Sequence, residues 1–351
     1  MVAFSGAIHW KVLAVEPTRQ GHSMLRRRDS LKVIAALGCG WVPLPVLPAT
    51  SRNSGSPAPT VKTPVHIQVP PGACDSHVHV FPDPSRYSPN RSFTPPPATA
   101  AQLLGLQRAL MMDHVVIVNS TVYGPTIEPV LQAIEQLGQQ RARGIALFDP
   151  TLTPRQLDDL HARGIRGIRV FLGLNADVDL NAAVRDLAIA DRQVQGRPWH
   201  IQVYGKHPVL AALRAPLAAL QAPLVIDHFC GLDASQGMQQ NGFKEVLELV
   251  GSGKAYVKLS GAYYCSDQGP DYADMRPYAQ ALIAANPDRI LWGSDWPHPN
   301  SAPVATRAAT QIAPAQSIDD GLMLNQLATW APDATLRQQM LVDNPKRLYG
   351  F

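Results

Sequence analysis

Eight short runs rich in valine, isoleucine, leucine and aromatic residues recur through this chain, and longer stretches with helical spacing separate them. The runs are 73–81, 114–120, 144–149, 165–172, 199–204, 224–228, 255–260 and 289–295. Most lack apolar–polar alternation, as strands covered on both faces do. Amphipathic stretches at 101–112, 127–137, 180–194 and 243–250 lie between them, and Thr153-Pro154 supplies a helix N-cap followed by proline at the first helical position. Parallel strands need long crossovers, so the alternation dictates a parallel α/β sheet with right-handed connections. Eight such units in about 280 residues predict a closed (β/α)8 TIM barrel over 71–351. A doubly wound sheet is the competing arrangement, but no glycine-rich phosphate loop follows the first run. The stretch 297–336 is longer than a usual connection and carries a short helix near 320–330, as expected of a loop that walls a site.

Ahead of the barrel the composition changes. Residues 1–50 contain Lys11, Arg19, Arg26, Arg27, Arg28 and Lys32 against Glu16 and Asp29, which accounts for the whole net charge of +4. The remainder is neutral, with no electrostatic footprint for nucleic acid. Arg26-Arg27-Arg28-Asp29-Ser30-Leu31-Lys32 precedes an apolar run, Val33 to Val42, too short to span a bilayer. The arrangement resembles a twin-arginine export signal, which implies a periplasmic protein with no membrane span after cleavage near Pro48-Ala49-Thr50. Met24 directly precedes this signal and is the expected translation start. Residues 51–70, rich in Ser, Pro and Thr, read as a flexible linker.

In a barrel of this kind chemistry sits at the C-terminal ends of the strands. His77 and His79 lie near the end of the first run, two residues apart, so both imidazoles face the barrel mouth. His228 and Asp295 end the sixth and eighth runs. A buried carboxylate is costly unless paired or functional, so Asp295 is a candidate catalytic group rather than packing. Arg169, inside a strand, reads as a carboxylate clamp, or alternatively as one partner of an internal salt bridge. Lys258, in mid-strand, allows the same two readings. His200 and His114 start their strands and fall at the opposite end.

The motifs Cys74-Asp75-Ser76-His77-Val78-His79-Val80-Phe81, Val225-Ile226-Asp227-His228 and Leu291-Trp292-Gly293-Ser294-Asp295-Trp296-Pro297-His298-Pro299-Asn300 resemble those of the amidohydrolase superfamily. More narrowly, with Arg91-Ser92-Phe93-Thr94-Pro95-Pro96 and Leu341-Val342-Asp343-Asn344-Pro345, they resemble its lactonase branch, that of the 2-pyrone-4,6-dicarboxylate lactonases. The resemblance runs from about Gly72 to the end and implies a metal-dependent-hydrolase type of barrel. It implies Asp295 as the base that activates water, with His77, His79 and His228 polarising the carbonyl of a small carboxylated lactone. It also implies Ser120 and Tyr204 as substrate contacts; Arg169, Tyr264 and His298 are read from their positions as further substrate-binding candidates, although a structural role suits His298 equally.

The chain departs from that branch where further arginines are expected, at Asp149-Pro150 and at Ala262-Tyr263-Tyr264. A substrate with fewer carboxylates, or with a face that stacks on tyrosine, is therefore expected. The four proton-handling residues are also a ligand set for one divalent metal, Zn or Mn, in the wider superfamily. The resemblance tilts towards no obligatory cofactor. A metal-dependent decarboxylase, a lactone isomerase and a non-catalytic binder are the competing readings, the last weakened by the presence of a general base. Cys230 and Cys265 follow neighbouring strands, so a disulfide is open to them if their separation allows it. The sequence sets no oligomeric state.

Overall fold

The computed structural model describes residues 61–173, 178–301 and 306–351. The expected signal region and the first part of the expected linker lie outside the described residues.

Eight parallel strands follow one another around a single sheet in chain order. They are β1 (Cys74–Val78), β2 (His114–Val118), β3 (Ala142–Leu147), β4 (Ile165–Gly173), β5 (His200–Gly205), β6 (Leu224–Ile226), β7 (Ala255–Leu259) and β8 (Ile290–Trp292). The barrel closes just past β8, where Asp295 N–H donates to His77 O (2.8 Å) and His79 N–H donates to Trp296 O (2.7 Å). Seven connections carry the crossover helices: α1 (Ala100–Leu110), α2 (Glu128–Leu137), α3 (Pro154–Ala162), α4 (Leu180–Val194), the pair α5 (His207–Ala212) and α6 (Arg214–Ala219), α7 (Phe243–Gly251) and α8 (Arg276–Ala285). This is the expected TIM barrel.

Local chemistry explains where the elements start. Thr153 caps α3 by accepting from Gln156 N–H at 3.4 Å while Gln156 Oε1 accepts from Thr153 N–H at 2.9 Å. Thr99 and Gln102 form the same reciprocal box at α1. Asn344, in the C-terminal motif, donates from Nδ2 to Pro287 O and Ile290 O, both at 2.8 Å, and so pins the start of β8.

Strand ends differ from expectation at the points that matter for chemistry. β1 stops at Val78, β6 at Ile226 and β8 at Trp292, so His79, His228 and Asp295 stand on the turns just beyond. The expected helix near 320–330 is two short ones, α9 (Asp320–Asn325) and a single turn at Leu327–Trp330. Residues 61–70 contain no helix or strand, yet they are anchored: Asp319 accepts from Thr63 N–H at 2.9 Å and from Thr63 Oγ1 at 2.6 Å, and Asn325 Oδ1 accepts from His66 N–H at 2.8 Å. The flexibility expected of a linker does not describe this part. At the far end of the barrel His114 stacks on Phe351 at 4.4 Å between ring centroids, and His200 packs edge-on against Tyr349 at 5.4 Å, both away from the mouth as expected.

Candidate active site

The barrel mouth opens into a cavity of about 300 Å³ lined by His79, Ser120, Arg169, Tyr204, His228, Tyr264 and Asp295, with Ser92 and Phe93 from the loop after β1 and Pro299 and Ser301 from the loop after β8. Thr94 ties those two loops together: its Oγ1 accepts from Arg91 Nε and donates to Ala309 O, each at 2.6 Å.

Two of the key residues sit on strained backbone. Asp295 has φ +64° and His228 φ +48°, left-handed values uncommon for residues with a Cβ. Glycines make room for His77 and His228. A Cβ at Gly293 would stand 2.8 Å from His77 Cβ, and one at Gly261 would stand 2.9 Å from His228 Nδ1.

Asp295 is 1% exposed. Its Oδ2 accepts from the Tyr263 hydroxyl at 2.6 Å, while Oδ1 has no hydrogen-bond partner and faces His79 Nε2 at 3.4 Å and His77 Nε2 at 3.6 Å. Burial alone would raise its pKa, but His228, His79 and His77 outweigh it and hold the carboxyl well below the usual carboxylate range. It is therefore ionised at neutral pH. Burial lowers the pKa of His77 and of His228. Burial also keeps Tyr263 and Tyr264 as phenols.

Beneath the mouth lies a layer of buried polar groups. Asp227 Oδ2 accepts from Arg169 Nε and from Gln202 Nε2, both at 2.9 Å. Lys258 Nζ donates to Gln202 Oε1 at 2.8 Å and stands 3.3 Å from His77 Nδ1 and 3.5 Å from Asp227 Oδ1. Burial pulls Lys258 down to about 8. Burial opposes the charge on Asp227 as well, but Arg169, Lys258 and His77 hold its carboxyl well below its ordinary value.

Of the residues expected from sequence, His77, His79, His228 and Asp295 come together, although His77 is fully buried and does not itself line the cavity. Ser120, Arg169, Tyr204 and Tyr264 line the cavity around them. Both readings of Arg169 apply, because it pairs with Asp227 through Nε and also reaches the cavity, its guanidinium 4.9 Å from the Tyr204 ring centroid. Lys258 pairs with a carboxylate and does not line the cavity. His298 is not among the lining residues either; it is buried, and its Nε2 meets Asp320 Oδ1 at 3.0 Å. Cys230 and Cys265 are both free thiols, so the disulfide open to them is absent; Cys265 Sγ instead donates to His228 O at 3.5 Å. Asp149 lines a separate groove between α2 and α3.

Sequence reasoning missed Tyr263, Asp227 and Gln202. Asp227 was visible in the motif Val225-Ile226-Asp227-His228, and the cost of a buried carboxylate applied to it as much as to Asp295.

Among the described residues two groups have donor atoms spaced for a divalent cation, His77–His79–Asp295 and His77–Asp227–His228, with their atoms within 4.8 Å of one another. A ligating imidazole gives its other N–H to a carbonyl or carboxylate. His79 does so, with Nδ1 2.7 Å from Val118 O. His77 does not. Its Nδ1 faces the Lys258 ammonium, and Asp227 Oδ1, although 3.2 Å away, has no hydrogen-bond partner. The set fits a metal through His79 and Asp295 but not through His77 as it stands.

A closed parallel barrel with imidazoles and an ionised carboxylate at its mouth has the makings of an enzyme site, and comparison with known proteins specifies its class. Residues 74–351 match the amidohydrolase family model. The chain belongs to the amidohydrolase family. It is 33% identical to a 4-sulfomuconolactone hydrolase of Rhizobium radiobacter over 82% of this chain and 93% of the relative. It is 32% identical to a 2-pyrone-4,6-dicarboxylate hydrolase of Comamonas testosteroni, over 81% and 92% respectively. A solved structure of a putative 2-pyrone-4,6-dicarboxylic acid hydrolase from Pseudomonas putida matches with a TM-score of 0.65 at 30% identity, covering 81% of this chain and 98% of that one.

Proposed function

We propose that this protein hydrolyses a small lactone carrying one carboxylate, in the periplasm after export by the twin-arginine route. The observation that carries the reading is Asp295: an ionised, buried carboxylate with one oxygen capped by Tyr263 and the other unpartnered beside two imidazoles. The two relatives compared above, each more than 30% identical over more than 80% of this chain, are named as hydrolases of a sulfomuconolactone and of a pyrone dicarboxylate, which supports the same chemistry.

Asp295 Oδ1 takes a proton from water as the oxygen attacks the lactone carbonyl carbon. The imidazoles of His79 and His228 line the cavity around the oxygen on which charge develops, with His77 buried behind them, in a site largely shielded from solvent where polar groups act strongly. Collapse of the tetrahedral intermediate breaks the ring C–O bond. The alkoxide, still tethered, recovers the proton from Asp295, and a hydroxy acid leaves. Arg169 is the only permanent cation among the described residues that line the cavity, and Asp227 already shares its charge. One substrate carboxylate is what it can balance, with Tyr204 and Tyr264 providing aromatic faces.

We derive no step through a metal, because His77 does not present a ligating nitrogen. A divalent ion on His79 and Asp295 would add Lewis-acid polarisation of the same carbonyl. The test is a pH-indicator screen of mono- and dicarboxylated lactones with the mature protein. Acid release from monocarboxylated lactones, with weak or no turnover of the pyrone dicarboxylate, is expected. Carbon dioxide release would overturn the reading in favour of a decarboxylase, and conversion without acid release would favour an isomerase.

A further inference from the structure

Lys258 is an unusual residue to find in the middle of a barrel strand. It is fully buried, and an ammonium in such a place is costly unless it is paired and hydrogen-bonded. The lysine does not touch the cavity, so contact with substrate does not explain it. Its surroundings do. Two acceptors and a counter-charge stand around Nζ: Gln202 Oε1 at 2.8 Å and His77 Nδ1 at 3.3 Å accept from it, and Asp227 Oδ1 at 3.5 Å balances its charge. An ammonium has three N–H donors and no acceptor. Gln202 is oriented for this role, because its Nε2 donates to Asp227 Oδ2 at 2.9 Å and so turns its oxygen towards the lysine.

The consequence falls on His77. A neutral imidazole carries one hydrogen, on one nitrogen or the other, and the partner of the first nitrogen decides which. An N–H on Nδ1 would point at the Lys258 ammonium, donor against donor. Asp227 Oδ1 lies 3.2 Å from Nδ1 but makes no hydrogen bond with it, whereas Lys258 Nζ does. The hydrogen therefore belongs on Nε2, which lies 3.6 Å from Asp295 Oδ1. His79, two residues on, is set the opposite way: Val118 O accepts from its Nδ1.

From this geometry we infer that Lys258 is a positioning residue that fixes His77 as its Nε2–H tautomer, which makes His77 a hydrogen-bond donor at the reacting centre and withholds it as a metal ligand. Both cation-spaced groups contain His77, so one lysine acts on both. Exchanging Lys258 for a side chain without a donor removes the constraint. Rotation of the ring then lets Nδ1–H find Asp227, and Nε2 becomes a free ligand. The inference deepens the lactonase reading by giving one imidazole its role, but its test does not depend on turnover.

The experiment is long-range ¹H–¹⁵N correlation NMR on the substrate-free mature protein with ring-¹⁵N histidine, His77 being assigned by its loss in His77→Asn. The wild type should show His77 with a protonated Nε2 and a bare Nδ1. Lys258→Met should switch that pattern, while Lys258→Gln, which keeps an N–H donor, should preserve it. Alongside, Zn²⁺ titration should give binding at least tenfold tighter in Lys258→Met than in the wild type or Lys258→Gln. A wild-type spectrum with Nδ1 protonated overturns the inference without recourse to any variant, as does an unchanged tautomer in folded Lys258→Met. Loss of lactone hydrolysis with the predicted tautomer intact would instead count against the lactonase reading alone.

Discussion

Replacing Arg169 with methionine separates substrate recognition from the chemical step. Two unit charges about 4 Å apart attract by ~4 kcal/mol at an effective dielectric of about 20. Arg169 already spends part of its charge on Asp227 at 2.9 Å, and halving the attraction on that account leaves about 2 kcal/mol for a substrate carboxylate, roughly 30-fold in kcat/KM. The assay compares the best carboxylated lactone from the screen with its neutral methyl ester. Arg169→Met should lose roughly 30-fold on the acid and stay within about threefold on the ester. Asp227 keeps Gln202 and Lys258 as partners, so the variant should fold with a lower Tm. Equal losses on acid and ester would refute the clamp and leave Arg169 as a purely internal salt-bridge partner.

Other variants probe the groups around it. Tyr263→Phe removes the 2.6 Å hydrogen bond to Asp295 Oδ2, a contact with a charged acceptor worth about 1.5–3 kcal/mol. Steady-state kinetics should show kcat falling roughly 10- to 100-fold with little change in KM. Asp75 gives a pH signature, because burial pushes its carboxyl from 3.8 up to about 7. The folded protein then holds a proton that the unfolded chain has released, so this contribution is complete below the unfolded value and is lost as pH rises through about 7. Urea unfolding should show Asp75→Asn gaining on the wild type by up to about 4 kcal/mol between pH 4 and 7, whereas a constant difference would contradict the assignment.

The barrel was legible because it rests on a signal repeated eight times: buried parallel strands have no polar face, and their crossovers need helices. The four residues at its mouth were legible for a related reason, since polar side chains at the ends of apolar runs have few structural uses. What escaped was the internal pairing. His228 adopts φ +48°, and this break in the strand pattern lets both Asp227 and His228 serve the interior, which strict alternation would forbid. His298 and Asp320 meet at 3.0 Å across a long loop whose path no periodicity sets. Tyr263 was read for the arginine it replaces rather than for the hydroxyl it offers. The two readings of Lys258 could be separated only by the positions of Gln202, Asp227 and His77 on three other strands.

The account stands most directly on Asp295 as the base. Asp295→Asn keeps the size of the side chain and can still meet Tyr263, but it cannot take a proton from water. In a single-turnover assay on the best lactone, with substrate binding measured separately, ring opening should slow by about 10²–10⁴-fold while binding stays within about threefold. A folded Asp295→Asn protein that opens the lactone at close to the wild-type rate would contradict the account.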